Sequence, residues 1–335
     1  MITTQRRTQL LIGLLVVLLL VGTPISLCIG RYPIQLEEIW AILQGAPVSE
    51  TARGVFWTLR LPRTLMALLA GVGLSLSGYV YQAMFKNILA SPDLIGVASG
   101  ANAGVAVAIV LASGSAFLVP VFAFLGGMVA VLLAVSLAGI SRHRSLASVV
   151  LAGIVIGSLG ESIVMALKLF ADPESQLAPL EFWAMGSLSS MTAAKLTTVL
   201  PGFFLGLVVL FLLRYPIHLL GLSDEEARAL GVRVNLVRTV VILAATVMVA
   251  SVVSVTGLIS FIGLIAPHIA RLLTRRGGTQ TAVIASLLGA LLLMVADCVA
   301  RSVASSEIPL SILTSLIGAP FLMVLMLKRR SSLFY

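Results

Sequence analysis

A chain of 335 residues that is 59% hydrophobic and only 10% charged is no ordinary soluble domain, which carries about 25% charged residues. A net charge of +9 would suggest a nucleic-acid partner in a soluble protein. In so apolar a chain, basic residues collecting on the cytoplasmic side of a membrane are the simpler account, and no nucleic acid is expected.

The first apolar run, 10–29, follows Arg6 and Arg7. It exceeds the roughly 7–15 apolar residues of a secretory signal, so it reads as a retained helix. The polar stretch 31–58 fits the outer surface, with 37–40 able to form a short interfacial helix. Next comes Arg60-Leu61-Pro62-Arg63, then an apolar run with Gly71, Gly73, Ser75, Ser77 and Gly78. Such small residues let membrane helices pack closely. The turn Ser91-Pro92-Asp93 leads into a further run.

Spanning-length runs fall near 10–29, 64–85, 94–112, 116–140, 146–170, 196–213, 235–255, 258–273, 280–299 and 308–327. The apolar stretch from Thr239 to Leu273 is too long for one crossing. Gly257 favours a turn, so the stretch divides there. The expectation is an all-α membrane protein, one membrane domain over 1–335, with about ten transmembrane helices and both termini cytoplasmic. On this topology fifteen of the 22 Lys and Arg lie inside, in agreement with the positive-inside rule. Arg31, Arg53, Arg60, Arg63, Lys168, Lys195 and Arg301 lie outside.

Catalytic chemistry is missing. The sequence has no G-x-x-x-x-G-K-[ST] loop, no H-E-x-x-H, no G-x-S-x-G and no Cys/His cluster. No catalytic residue, metal site or bound cofactor is therefore expected, and an intramembrane protease lacks its catalytic pair. Cys28 and Cys298 form no disulfide framework. Glu161 is the one clearly mid-span carboxylate. An ion-coupled secondary carrier, the rival of a different class, usually places several ionisable groups in the bilayer. Their scarcity points to an energy source elsewhere.

The inner connection 215–235 offers one. Ser223 with Glu226 three residues on is a capping box. Gly231 can end the helix in the left-handed conformation. Leu222, Ala227 and Leu230 give an apolar side; Asp224 and Glu225 give a charged one. Two readings stand: a loop helix lying on its own domain, or a docking helix for a cytoplasmic ATPase subunit.

These pieces, in this order, resemble the membrane permease of the iron–siderophore, haem and cobalamin ABC importers (type II importers). The resemblance rests on Arg60–Arg63, Gly71–Gln82, Ser91–Val97, Leu151–Gly153, Leu222–Gly231, Phe261–Arg271, Asp297–Arg301 and Gly318–Pro320, and covers nearly the whole chain. It implies ten helices and a bacterial cytoplasmic membrane. Its partners would be a second permease subunit, as homodimer or heterodimer, two cytoplasmic ATPase subunits holding ATP and Mg, and an extracytoplasmic substrate-binding protein. It also implies site roles. Arg60, Arg63 and Arg301 would receive acidic residues of the binding protein; the plain alternative is interfacial anchoring by snorkelling. Leu222, Asp224, Glu225, Ala227, Leu230 and Gly231 would couple to the ATPase. Ser145, Leu146 and Ala147 would belong to the cytoplasmic gate. Gln82 and Asn102 are polar enough to line the pathway. Glu161 either lines it or makes a helix-packing contact. The substrate implied is an iron chelate, a siderophore first, with haem, cobalamin or molybdate as alternatives.

Overall fold

A computed structural model of the protein describes residues 2–112, 114–140, 146–275, 277–303 and 306–328. These residues are helical or irregular, without a strand among them. In chain order the helices are α1 (Ile2–Cys28), α2 (Leu36–Leu43), α3 (Glu50–Val55), α4 (Leu61–Phe85), α5 (Val97–Leu111), α6 (Leu118–Ile140) and α7 (Leu146–Phe170). Then follow α8 (Ala178–Ala184), α9 (Ala193–Leu212), α10 (Arg214–Leu219), α11 (Asp224–Ala229), α12 (Val234–Thr256), α13 (Ile262–Thr274), α14 (Thr279–Ala300) and α15 (Leu310–Lys328).

Seven of the described helices, α1, α4, α6, α7, α9, α12 and α14, are long and apolar enough to cross a membrane. Three further apolar helices, α5, α13 and α15, complete the ten expected runs. The boundary at Gly257 holds: α12 stops at Thr256, and Gly257 adopts φ +68°. The helix after it is the surprise. With 13 residues, α13 is about 20 Å long at 1.5 Å per residue, against a hydrocarbon core of about 30 Å. Residues 257–261 supply the rest as non-helical backbone, which a bilayer tolerates only where protein satisfies it. Here Ser311 Oγ donates to the Leu258 carbonyl at 2.6 Å, and Ser187 N donates to the Thr256 carbonyl at 2.7 Å.

Helix α4 is the central post. It packs on α1, α9, α12, α13 and α14, and seventeen of its 25 residues are buried. The small residues explain how it tolerates so many neighbours. A Cβ on Gly78 would stand 1.6 Å from the Gly263 carbonyl oxygen of α13. One on Gly71 would stand 2.3 Å from the Gly289 carbonyl oxygen of α14. Without a hydrophobic force between helices, contact this close is what holds them. A second group, α5, α6 and α7, packs on itself, and α12 ties the two groups together.

Candidate functional sites at the two ends of the bundle

The ends of the helices sort the polar residues into two clusters. At one end α4 begins while α1 and α14 finish, and Arg60, Arg63 and Arg301 meet there. They do not stand free at the surface: their exposures are 7%, 8% and 2%. Arg63 Nε donates to Asp297 Oδ1 at 2.8 Å, and its Nη1 reaches both Glu307 oxygens at 2.9 Å. Arg301 Nη2 donates to the Ser26 carbonyl at 2.8 Å and to Ser26 Oγ at 2.7 Å. Arg301 Nε lies 3.3 Å from Asp297 Oδ2, within ion-pair range but off hydrogen-bond geometry. Arg60 donates to the carbonyls of Ile29 at 2.5 Å and Tyr32 at 3.0 Å.

Three arginines thus share two carboxylates. Asp297 is fully buried between Arg63 and Arg301. Arg60 Nε and Arg301 Nη1 are buried without an acceptor. The cluster therefore keeps unused donor capacity on Arg60 and Arg301, and that capacity is buried. The i, i+4 spacing of Asp297 and Arg301 was readable in the sequence; Glu307 and Ser26 were not, because no local pattern links them to Arg63 or Arg301.

At the opposite end α4 and α9 finish while α12 and α14 begin. Helix α11 lies here with its capping box formed: Glu226 N donates to Ser223 Oγ at 3.2 Å, and Ser223 N to Glu226 Oε2 at 2.8 Å. The Ser223 hydroxyl, donating to Glu226 Oε2 at 2.7 Å, and then the Ser223 N–H hold the Glu226 carboxyl below its ordinary pKa. Gly231 closes the helix at φ +83°. The six residues named for coupling divide into two sets. Ala227 is 1% exposed and faces the chain's own core. Asp224 is gripped by Arg238 of α12 at 2.6 and 2.8 Å, and those hydrogen bonds lower its pKa. Leu222, at 41% exposure, and Leu230, at 60%, face outward with Glu225 and Gly231.

Gln82 is also at this end, and it is not free to line a pathway. It is 3% exposed, bonds Arg271 of α13 with its oxygen, and donates to the Leu264 carbonyl at 3.2 Å. It ties α4 to α13. Asn102 on α5 is half-buried, and its Oδ1 is buried without a partner. Glu161 makes no packing contact of the buried kind: it is exposed, on a face of α7 shared with Ser158, Ser162 and Met165. Of the gate residues, Leu146 packs partly buried against the core and Ala147 is exposed; Ser145 lies outside the described residues. The described residues include no cluster of His, Cys, Asp or Glu fit to hold a metal.

The FecCD transport family model matches residues 18–328. The chain belongs to the FecCD transport family. It is 36% identical over 325 residues to the molybdate import system permease protein MolB of Haemophilus influenzae, covering 96% of each chain. It is 37% identical over 276 residues to a protein of Helicobacter pylori named as a probable iron chelatin transport system permease, covering 81% of this chain and 82% of that one. Among solved structures, an inward-facing transporter described as of the metal-chelate ABC type superposes with a TM-score of 0.86. Identity there is 35%, over 96% of this chain and 99% of the other. The FecCD chain is therefore a multi-pass membrane permease of an ABC importer, a translocation component.

Proposed function

We propose that this FecCD permease moves an iron chelate, a siderophore first, across the bacterial cytoplasmic membrane by alternating access. All ten apolar helices cross, with both termini cytoplasmic. Two permeases assemble with two ATPase subunits, which bind ATP and Mg, and an extracytoplasmic protein delivers the substrate. The observation that carries the coupling half is α11: anchored inward through Ala227 and Asp224, it offers Leu222 and Leu230 to a partner. The outer cluster supports docking, since three arginines with two carboxylates leave one positive charge for an acid from the binding protein. Leu146 and Ala147, with Ser145, form the cytoplasmic gate.

Glu161 supports the placement of the pathway. A carboxylate facing lipid at mid-helix costs several kcal/mol. The bare face of α7 therefore meets the second permease across a water-filled path. The likeness to the iron chelatin permease and to the metal-chelate transporter favours an iron chelate as cargo. The MolB match favours molybdate as the second reading. A deletion strain tested on single iron sources and for radiolabelled molybdate uptake separates them: loss of growth on one ferric siderophore supports the first, loss of molybdate uptake alone overturns it.

A further inference from the structure

A cavity of about 660 Å³ opens beside α4 at the α11 end of the bundle, within the roughly 300–1,000 Å³ of small-molecule sites. Along α4 its wall runs from Val72 through Leu76 and Val80 to Ala83. Twelve residues of helix are about 18 Å, a little over half of a hydrocarbon core of about 30 Å. On either side stand Leu207 and Phe211 of α9 and Val283 and Leu287 of α14. Phe211 is 59% exposed and Val283 40%, so the lips carry apolar side chains facing outward between two membrane-length helices.

The cavity's chemistry is segregated. Its depth is aliphatic. Its end toward α10 and α11 carries Lys86, Arg214, His218 and Arg271, and no carboxylate lines it. Arg271 is engaged by Gln82 and the Tyr79 carbonyl, whereas Lys86, Arg214 and His218 are exposed, Arg214 using one nitrogen on the Phe211 carbonyl at 3.0 Å and lying over the Phe211 ring. Lys86 acts electrostatically on Asp224 and Glu226 of α11, which are held by hydrogen bonds from Arg238 and Ser223. An apolar slot one leaflet deep, capped by cations, matches an amphiphile with an acyl chain and an anionic head.

We propose that this cavity is a binding site for one anionic phospholipid of the cytoplasmic leaflet. One acyl chain lies along Val72–Ala83, and the phosphate is at Lys86 and Arg214. The site includes no residue of α7 and reaches Gly221 and Leu222, in the turn just before α11, which places a lipid headgroup beside the coupling helix. The inference rests on α10 and α11 being at the cytoplasmic surface, but its test reads lipid retention and not transport, so the two fail separately.

The test is native mass spectrometry of the permease–ATPase complex reconstituted with equal phosphatidylglycerol and phosphatidylcholine. Wild type should retain phosphatidylglycerol preferentially. Each juxtamembrane cation contributes about fivefold, so Lys86→Gln with Arg214→Gln should lower phosphatidylglycerol retention roughly thirtyfold. Ser286→Phe, which fills the apolar wall, should lower retention of both lipids and serves if the double variant does not assemble. Arg233→Gln, an exposed residue outside the cavity, should change nothing. Equal retention of the two lipids, an Arg233→Gln effect as large as the pair's, or displacement of the adduct by inorganic phosphate would overturn the proposal.

Discussion

Arg63 shows how much one side chain can carry in a bilayer protein. Its guanidinium joins Asp297 of α14 to Glu307 beyond it, 234 and 244 residues away in sequence. Asp297 is fully buried, and breaking such a pair from one side costs about 3–5 kcal/mol, because the remaining charge stays in low dielectric. Arg63→Ala should destabilise the purified complex by that amount in denaturant unfolding; a change under about 1 kcal/mol would mean that Arg301 alone satisfies Asp297. Glu307 is different, its side chain being 25% exposed. If the cluster receives an acid of the binding protein, as proposed, Glu307 occupies the Arg63 donor that this acid would need. Glu307→Gln should therefore tighten binding-protein affinity about fivefold, the worth of a partly exposed pair. Weaker binding in surface plasmon resonance would show that Glu307 is itself part of the docking surface. Glu161 poses the converse question. If it faces a shared aqueous path, Glu161→Leu should leave the complex assembled and lower uptake. Normal uptake with raised thermal stability would place this face of α7 in lipid.

At the level of elements, the readable features were the local ones. The capping box at Ser223 and Glu226 and the stop at Gly231 are set within nine residues, and both formed as the spacing demanded. Which side of α11 faces inward was not readable, because Arg238 on the next helix decides it by seizing Asp224. The apolar face in the sequence held Leu222, Ala227 and Leu230 together; the fold buries Ala227 and exposes the two leucines. That split makes a sharp test. Leu230→Asp should leave permease stability unchanged and abolish ATPase co-purification. Ala227→Asp should destabilise the permease itself, since it buries an unpaired carboxylate at a cost of several kcal/mol. If both variants keep the ATPase bound, the coupling surface is elsewhere. Gln82 carries the same lesson in reverse. Its polarity in a span was visible, but its partner Arg271 lies 189 residues away, so its role as a tie between α4 and α13 could only come from the fold.

For the whole molecule, hydropathy and charge marked ten apolar segments, and each has a helix in the structure. Length misled at α5 and α13: with 15 and 13 residues both helices are shorter than the hydrocarbon core is thick, and irregular backbone adjoining α13 is hydrogen-bonded by Ser311, where hydropathy reads an ordinary span. Ser254, near the end of α12 and only 7% exposed, would be a poor labelling position. Exposed positions at the two ends test the topology better. Ser175 lies in the turn between α7 and α8, at the end of the bundle where Lys168 pairs with Glu181. Glu225 lies on α11 at the other end. The basic residues are concentrated on the Glu225 side, which the positive-inside rule assigns to the cytoplasm. In intact cells lacking the two native cysteines, a membrane-impermeant maleimide should label Ser175→Cys and leave Glu225→Cys unlabelled until the membrane is opened. Labelling of Glu225→Cys in intact cells would invert the molecule, placing α11 away from any cytoplasmic ATPase. Labelling of both positions from outside would require an even number of crossings between them, so that α9, the one candidate span in that interval, would not cross the membrane.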